Sequence, residues 1–143
     1  METNPIRHKL TIDQNRHYHC HPKFIGHANK PSPKIYIVSR NGQIFYVGIT
    51  RQRIGSRIYG GFAANVYKWP VNTPMNFDIW ILPAIKGDKS KVKSKLETIE
   101  AEIVFCVRQK TDKWPSYQKA IHFHKSSKAE RQIAFNIYNF YTR

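Results

Sequence analysis

Apolar and polar positions alternate most clearly over residues 34–48. Two runs rich in Ile, Val, Tyr and Phe flank Asn41-Gly42, a dipeptide suited to the turn of a β-hairpin. The loop length decides which side chains share a face. A two-residue Asn-Gly loop would pair Tyr36 with Val47 and put Tyr36 and Tyr46 on opposite faces. A three-residue loop, Arg40-Asn41-Gly42 with Gly42 left-handed, would pair Tyr36 with Tyr46. That second register sorts the side chains better and is the one expected. It gathers Ile35, Ile37, Phe45, Val47 and Ile49 on one apolar face, with Tyr36, Val38, Ile44, Tyr46 and Gly48 on the other.

Further elements follow from the same patterning. Ile54, Ile58 and Phe62 have the spacing of a short helix, with Gly60-Gly61 as a stop. Residues 63–75 read as a connection. Residues 76–82 alternate at Phe77, Ile79 and Ile81, which predicts a third strand ended by Pro83. A lysine-rich loop over 86–95 leads into a helix from about residue 92 to 109, whose apolar stripe is Leu96, Ile99, Ile103, Val104 and Val107. Ser127 and Glu130 have the spacing of a capping box and open a covering helix over about 128–140. Residues 1–33, interrupted by Pro5, Pro22, Pro31 and Pro33, read as polar and irregular. The fold class expected is α+β: a small three-stranded antiparallel sheet flanked by helices. Residues 1–33 form a basic, His-rich N-terminal arm, and 34–143 form the domain.

Charge changes the picture most. Twenty-four Lys and Arg stand against nine Asp and Glu in 143 residues, a formal net charge of +15. Solubility accounts for a few units of charge on a small domain. Fifteen point to a polyanion, and nucleic acid is the commonest. An anionic membrane surface would call for a basic amphipathic helix, whereas here the basic residues are spread along the chain. No apolar run approaches the ~20 residues of a membrane span. Cys20 and Cys106 form no motif with each other, so a reduced, intracellular (cytoplasmic) protein is expected. His17, His19, Cys20 and His21 lack the paired spacing of structural zinc sites. The arm is therefore read as lying against phosphates or against the domain, and its deletion is expected to spare a catalytic centre built from residues 36 to 118.

Candidate chemistry is sparse. There is no phosphate-cradling glycine loop, no acid pair for glycoside hydrolysis and no Ser-His-Asp set. Cys106 falls on the long helix and reads as core. Glu100 is the exception, because it sits inside an apolar helix stripe. An acid there is costly unless it is paired or binds a cation, so it reads either as a metal ligand or as the partner of a core Arg such as Arg57. Two tyrosines, Tyr36 and Tyr46, and Arg57 complete the set. Glu97 lies partly to the side of the stripe and Glu102 on another flank, so Glu97→Ala and Glu102→Ala are expected to remain active.

At this point the chain resembles a known family. Lys34-Ile35-Tyr36, Tyr46-Val47-Gly48 and Arg57 are similar to the motifs of the GIY-YIG nucleases, with Lys34 in place of the first glycine and Val47 for isoleucine. The spacings of ten from Tyr36 to Tyr46 and eleven from Tyr46 to Arg57 resemble the restriction-endonuclease members. Glu100 and the apolar pair Ile103-Val104 resemble the family's catalytic helix. Pro115-Ser116-Tyr117-Gln118 resembles a closing Pro-x-Tyr-Asn element, with Gln118 where Asn is usual. The likeness covers residues 34 to 118.

The resemblance implies a divalent-metal-dependent DNA endonuclease, of restriction or defence type, with Mg²⁺ or Mn²⁺ on Glu100. Tyr36 would be the base or would orient the water, while Tyr46 and Arg57 hold the phosphate and Gln118 closes the site. Arg51, Arg53, Lys89, Lys91, Lys93, Lys95, Lys125, Lys128 and Arg131 are the expected nucleic-acid contacts, with double-stranded DNA as the partner. His122 and His124 share a face if their stretch is extended, and read as structural or as DNA contacts. Cutting both strands would take a homodimer or sequential nicking. A non-catalytic nucleic-acid-binding module on the same scaffold is the competing reading.

Overall fold

The computed structural model describes residues 6–12, 15, 17–21, 23–24, 26–63, 74–115, 121 and 124–142. Five antiparallel strands form one sheet: β1 (Ile6–Ile12), β2 (Tyr18–His21), β3 (Lys34–Arg40), β4 (Gln43–Thr50) and β5 (Met75–Ile81). Their order across the sheet is β2-β1-β5-β3-β4. This corrects the expected three-stranded sheet, although the α+β class holds. It also corrects the irregular reading of residues 1–33. β1 pairs along β5 from Ile6↔Ile79 to Leu10↔Met75, and β2 pairs along β1. The sequence hid β1 because polar residues interrupt it: Leu10 is buried, but so is His8, with its ring edge-on to Phe24 at 4.7 Å, while Ile6 is 36% exposed.

The hairpin combines features of both loops weighed above. Asn41 and Gly42 have φ of 52° and 76°, the positive pair of a two-residue turn. Arg40↔Gln43 and Ser39↔Ile44 follow from that turn, but the register then shifts, giving Val38↔Tyr46 and Tyr36↔Gly48. The expected Tyr36–Tyr46 pairing is therefore wrong. The bulge nevertheless restores the expected parity, so Tyr36 and Tyr46 share a face, with ring centroids 5.9 Å apart. It also exchanges two neighbours. Ile44 joins the core of Ile35, Ile37 and Val47, while Phe45 packs on the Tyr36 side.

Helices cover both faces. On one lie α2 (Lys89–Thr111) and α3 (Lys128–Tyr141), packed on Ile35, Ile37, Val47, Trp80 and Leu82. On the other, Ile54 and Ile58 of α1 (Ile54–Ala63) and Ala28 of a short 3₁₀ turn (Gly26–Asn29) pack on Tyr36, Val38, Phe77 and Ile79. α1 runs through Gly60-Gly61, so the expected stop is not used. α2 begins at Lys89, with the Asp88 side chain accepting from the Lys91 backbone N–H at 2.9 Å. Lys89, Lys91, Lys93 and Lys95 thus occupy its first two turns rather than a loop. The Ser127–Glu130 capping box forms as expected.

A buried polar chain fastens α3 and β1 to β5. Trp80 Nε1 donates to Tyr141 Oη at 3.0 Å, and Tyr141 Oη donates to Asp78 Oδ2 at 2.9 Å. Arg7 Nε donates to Asp78 Oδ1 at 2.7 Å. Asp78 is fully buried, so Arg7 and Tyr141 satisfy a carboxylate that would otherwise be expensive to hold there. Burial raises the Tyr141 phenol well above its ordinary range and keeps it a donor.

Candidate active site

β4 is an edge strand of the sheet, and α2 runs beside it. A cavity of about 500 Å³ opens on the seam between them. β4 contributes Tyr46, Gly48, Ile49 and Thr50, and the following loop contributes Arg51 and Gln52. Arg57 comes from α1, and Lys93, Leu96, Glu97 and Glu100 come from α2. Three of the five residues expected to act on substrate, Tyr46, Arg57 and Glu100, therefore line one space although they come from three elements. Their approach depends on the α2 stripe packing on β4, which turns Glu100 from an isolated acid among aliphatics into the floor of a cleft.

Tyr36 does not line the cavity. It is fully buried, stacked on Phe77 at 5.5 Å and beside Tyr46. Its phenol lies over Gly48: a Cβ built on Gly48 would fall 2.2 Å from Tyr36 Cζ and 2.5 Å from its oxygen. Gly48 itself borders the cavity. The second phenol thus stands directly behind the glycine wall, where any larger residue would displace it.

Lys34, which stands where the motif has glycine, has a structural role. Its ammonium is buried and donates to the carbonyls of Lys30, Ser32 (2.9 Å) and Gln52 (2.9 Å). One side chain therefore ties the loop before β3 to the loop after β4 that carries Arg51 and Gln52 into the cavity. Burial pulls the Lys34 pKa down from 10.5 to about 8.

Glu97 is the residue that the sequence reading placed to the side. It is as buried as Glu100, each 8% exposed, and both line the cavity. Its Oε1 lies 3.2 Å from His124 Nε2. The signal was present in the three-residue spacing of Glu97 and Glu100, with Lys93 one turn before, which puts all three on adjoining rows of one helix face.

Of the other expected contacts, Arg51 and Lys93 reach the cavity. Arg53, Lys89, Lys91, Lys125 and Lys128 are exposed, and Lys95 is half-buried. Arg131 is turned to Ser126, donating to its carbonyl at 2.8 Å. Gln118 and His122 lie outside the described residues. Cys20 and Cys106 are half-buried, and burial pushes the Cys20 thiol up to about 11 and the Cys106 thiol above its ordinary value.

Two carboxylates in one basic cleft suit a hard divalent cation, which prefers oxygen donors. Among the described residues no three His, Cys, Asp or Glu side chains group around a single point. That donor set fits Mg²⁺, which keeps several waters and takes one or two carboxylates together with phosphate oxygens. Among the described residues, no helix is long and apolar enough to cross a membrane. Comparison of the chain with protein-family models, with curated proteins and with solved structures finds no match.

Proposed function

We propose that this chain is a divalent-metal-dependent DNA endonuclease that hydrolyses phosphodiester bonds. The observation that carries the reading is the meeting of Tyr46, Arg57 and Glu100 in one cavity on a chain of net charge +15. The GIY-YIG resemblance supports it, and the ten- and eleven-residue spacings favour a restriction or defence role.

The chemistry follows from the side chains. Arg57 offers a planar fork of donors to two phosphate oxygens. Tyr46 donates to one of the same two non-bridging oxygens, helping to hold the phosphorus in line for attack. Lys93 and Arg51 make the cleft positive, so a phosphate enters against little repulsion from the two acids. Glu100, with Glu97 a turn away, would hold Mg²⁺ or Mn²⁺, which supplies Lewis-acid stabilisation of charge developing on the phosphate. The resemblance would make Tyr36 the base or water-orienting group, although its phenol stands behind Gly48 and outside the cavity lining. A phenol titrates near ~10 in water, so that role needs the surrounding cations and the close approach that Gly48 permits.

Incubation of supercoiled plasmid, single-stranded DNA and RNA with Mg²⁺ or with chelator tests the proposal. Nicking or linearisation of plasmid that disappears with chelator is expected. The full burial of Tyr36 favours the second reading, a binding module without catalysis. A plasmid shifted in a gel yet uncut in either Mg²⁺ or Mn²⁺ would select that module.

A further inference from the structure

A second cavity, about 360 Å³, opens further along the seam of β4 and α2. Ile44 comes from the start of β4, Val107 and Lys110 from the last turns of α2, Lys113 and Trp114 from just beyond it, and Tyr138 from α3. Its volume falls in the ~300–1,000 Å³ range of small-ligand sites. No acidic side chain lines it among the described residues. Trp114 is 40% exposed, with the Arg108 guanidinium carbon 4.7 Å from the ring centre and the Phe105 ring at 5.9 Å. Phe105 is itself 39% exposed. Isolated exposed aromatics need no explanation. A tryptophan held at the rim of a cavity, beside two lysines and an arginine, has the composition of a surface that stacks bases and pairs their phosphates.

We infer that this cavity takes an unpaired or flipped nucleobase of the bound strand, stacked on Trp114, with Lys110 and Lys113 on the neighbouring phosphates. The inference rests on the partner being nucleic acid. The two cavities share both walls, and α2 runs antiparallel to β4 between them. From Gly48 back to Ile44 is four residues of strand, ~13 Å, and from Glu100 to Val107 is seven residues of helix, ~10 Å. One strand at ~3.4 Å per nucleotide covers that offset in about three or four nucleotides. The stacked base therefore belongs to the same strand as the phosphate at Glu100, a few nucleotides away.

Fluorescence polarisation with a labelled oligothymidylate and with a duplex carrying one unpaired thymine, in chelator to prevent cleavage, tests this. Trp114→Ala should weaken binding of both by about 5- to 150-fold, the range of one stacked base, and Trp114→Phe should recover most of the loss. The double variant Lys110→Ala/Lys113→Ala should reduce the log–log salt slope on the single strand by roughly 1.4, two phosphates at ~0.7 each. Wild-type affinity in Trp114→Ala, or no recovery in a folded Trp114→Phe, would overturn the inference while leaving the proposed activity standing. So would a Trp114-dependent dimer in sedimentation with nucleic-acid affinity unchanged. A wild-type protein that binds neither probe at low salt overturns the stacking site and the nuclease reading together.

Discussion

Tyr36 lies over Gly48 so closely that the phenol occupies the space a side chain at position 48 would fill. The two residues are direct partners in the β3–β4 ladder, and the bulge beyond Val38 makes them so. The turn alone would place Val47 opposite Tyr36 and point the phenol at a β-branched neighbour's flank. The shift brings the one residue without a Cβ under the ring. It also keeps Tyr46 on the same face, 5.9 Å away. The glycine of the second motif is thus explained by its contact with the tyrosine of the first.

Gly48→Ala should therefore be among the most damaging small substitutions. The added methyl meets the Tyr36 ring at 2.2 Å, and the ring is packed between Phe77 and Tyr46. Overpacking of this kind costs about 1–3 kcal/mol. A lowered melting temperature and loss of cleavage are expected. Gly48→Ala/Tyr36→Phe should remain destabilised because the ring persists, whereas Gly48→Ala/Tyr36→Leu should recover stability but not activity. Thermal melts of the three variants check this, and a Gly48→Ala protein as stable as wild type would show that the ring has room to move.

If the proposed activity holds, Glu100→Gln should abolish cleavage and leave DNA binding within a few-fold, since the change removes the proposed metal ligand and a negative charge while preserving shape. Glu97→Ala was expected from sequence to be a neutral control. Its place in the same cavity, 3.2 Å from His124, reverses that expectation. Glu97→Ala should lower cleavage at limiting Mg²⁺ more than at saturating Mg²⁺. Glu102, absent from the cavity lining, supplies the control, and Glu102→Ala should remain active. Metal titrations of the three variants separate these outcomes, and full activity in Glu100→Gln would remove Glu100 from the mechanism.

Lys34 predicts a pH dependence. Burial lowers its pKa to about 8 in the folded chain, from an ordinary 10.5. Between those values the unfolded chain binds more protons than the folded one, so this group makes stability rise with pH. Lys34→Met lacks that contribution and also leaves the carbonyls of Lys30, Ser32 and Gln52 without their donor. Its melting temperature should lie below wild type at every pH, with the gap widening from pH 8 to 9.5. Other groups titrate equally in both proteins and cancel in the difference. Calorimetry at four pH values measures it, and a constant gap would mean that Lys34 keeps an ordinary pKa.

Deletion of residues 1–21 should prevent folding. The sequence reading expected a dispensable arm, but the structure puts β1 in the sheet beside β5 and Arg7 on buried Asp78. Leaving buried Asp78 with one partner fewer costs about 1–3 kcal/mol, and β5 would become an open edge. Arg7→Ala isolates the first effect and should lower the melting temperature without removing the strand. Circular dichroism of the truncated chain decides the matter, and a cooperatively melting truncation would restore the detachable arm.

The sequence by itself determined the local elements. Periods of two and of about 3.6 marked β3, β4, β5, α1, α2 and α3, because each buries one face and that burial is written in the spacing of its own apolar residues. It also singled out Glu100, since an acid in an apolar stripe on a strongly basic chain is anomalous, while Tyr46 and Arg57 joined it through the hairpin register and the family resemblance. Tertiary structure alone decided the rest. Whether Ile44 or Phe45 faced the core turned on a single inserted residue, which alternation cannot locate because two apolar neighbours fit either face. β1 was invisible because buried His8 and the charged Arg7 and Lys9 interrupt its apolar positions, and only its pairing with β5 reveals it as a strand. The pairing of Glu97 with Glu100 in one cleft, and of Tyr36 with Gly48 across a ladder, depends on which strand lies under which helix, and that arrangement is set by packing between segments far apart in the chain.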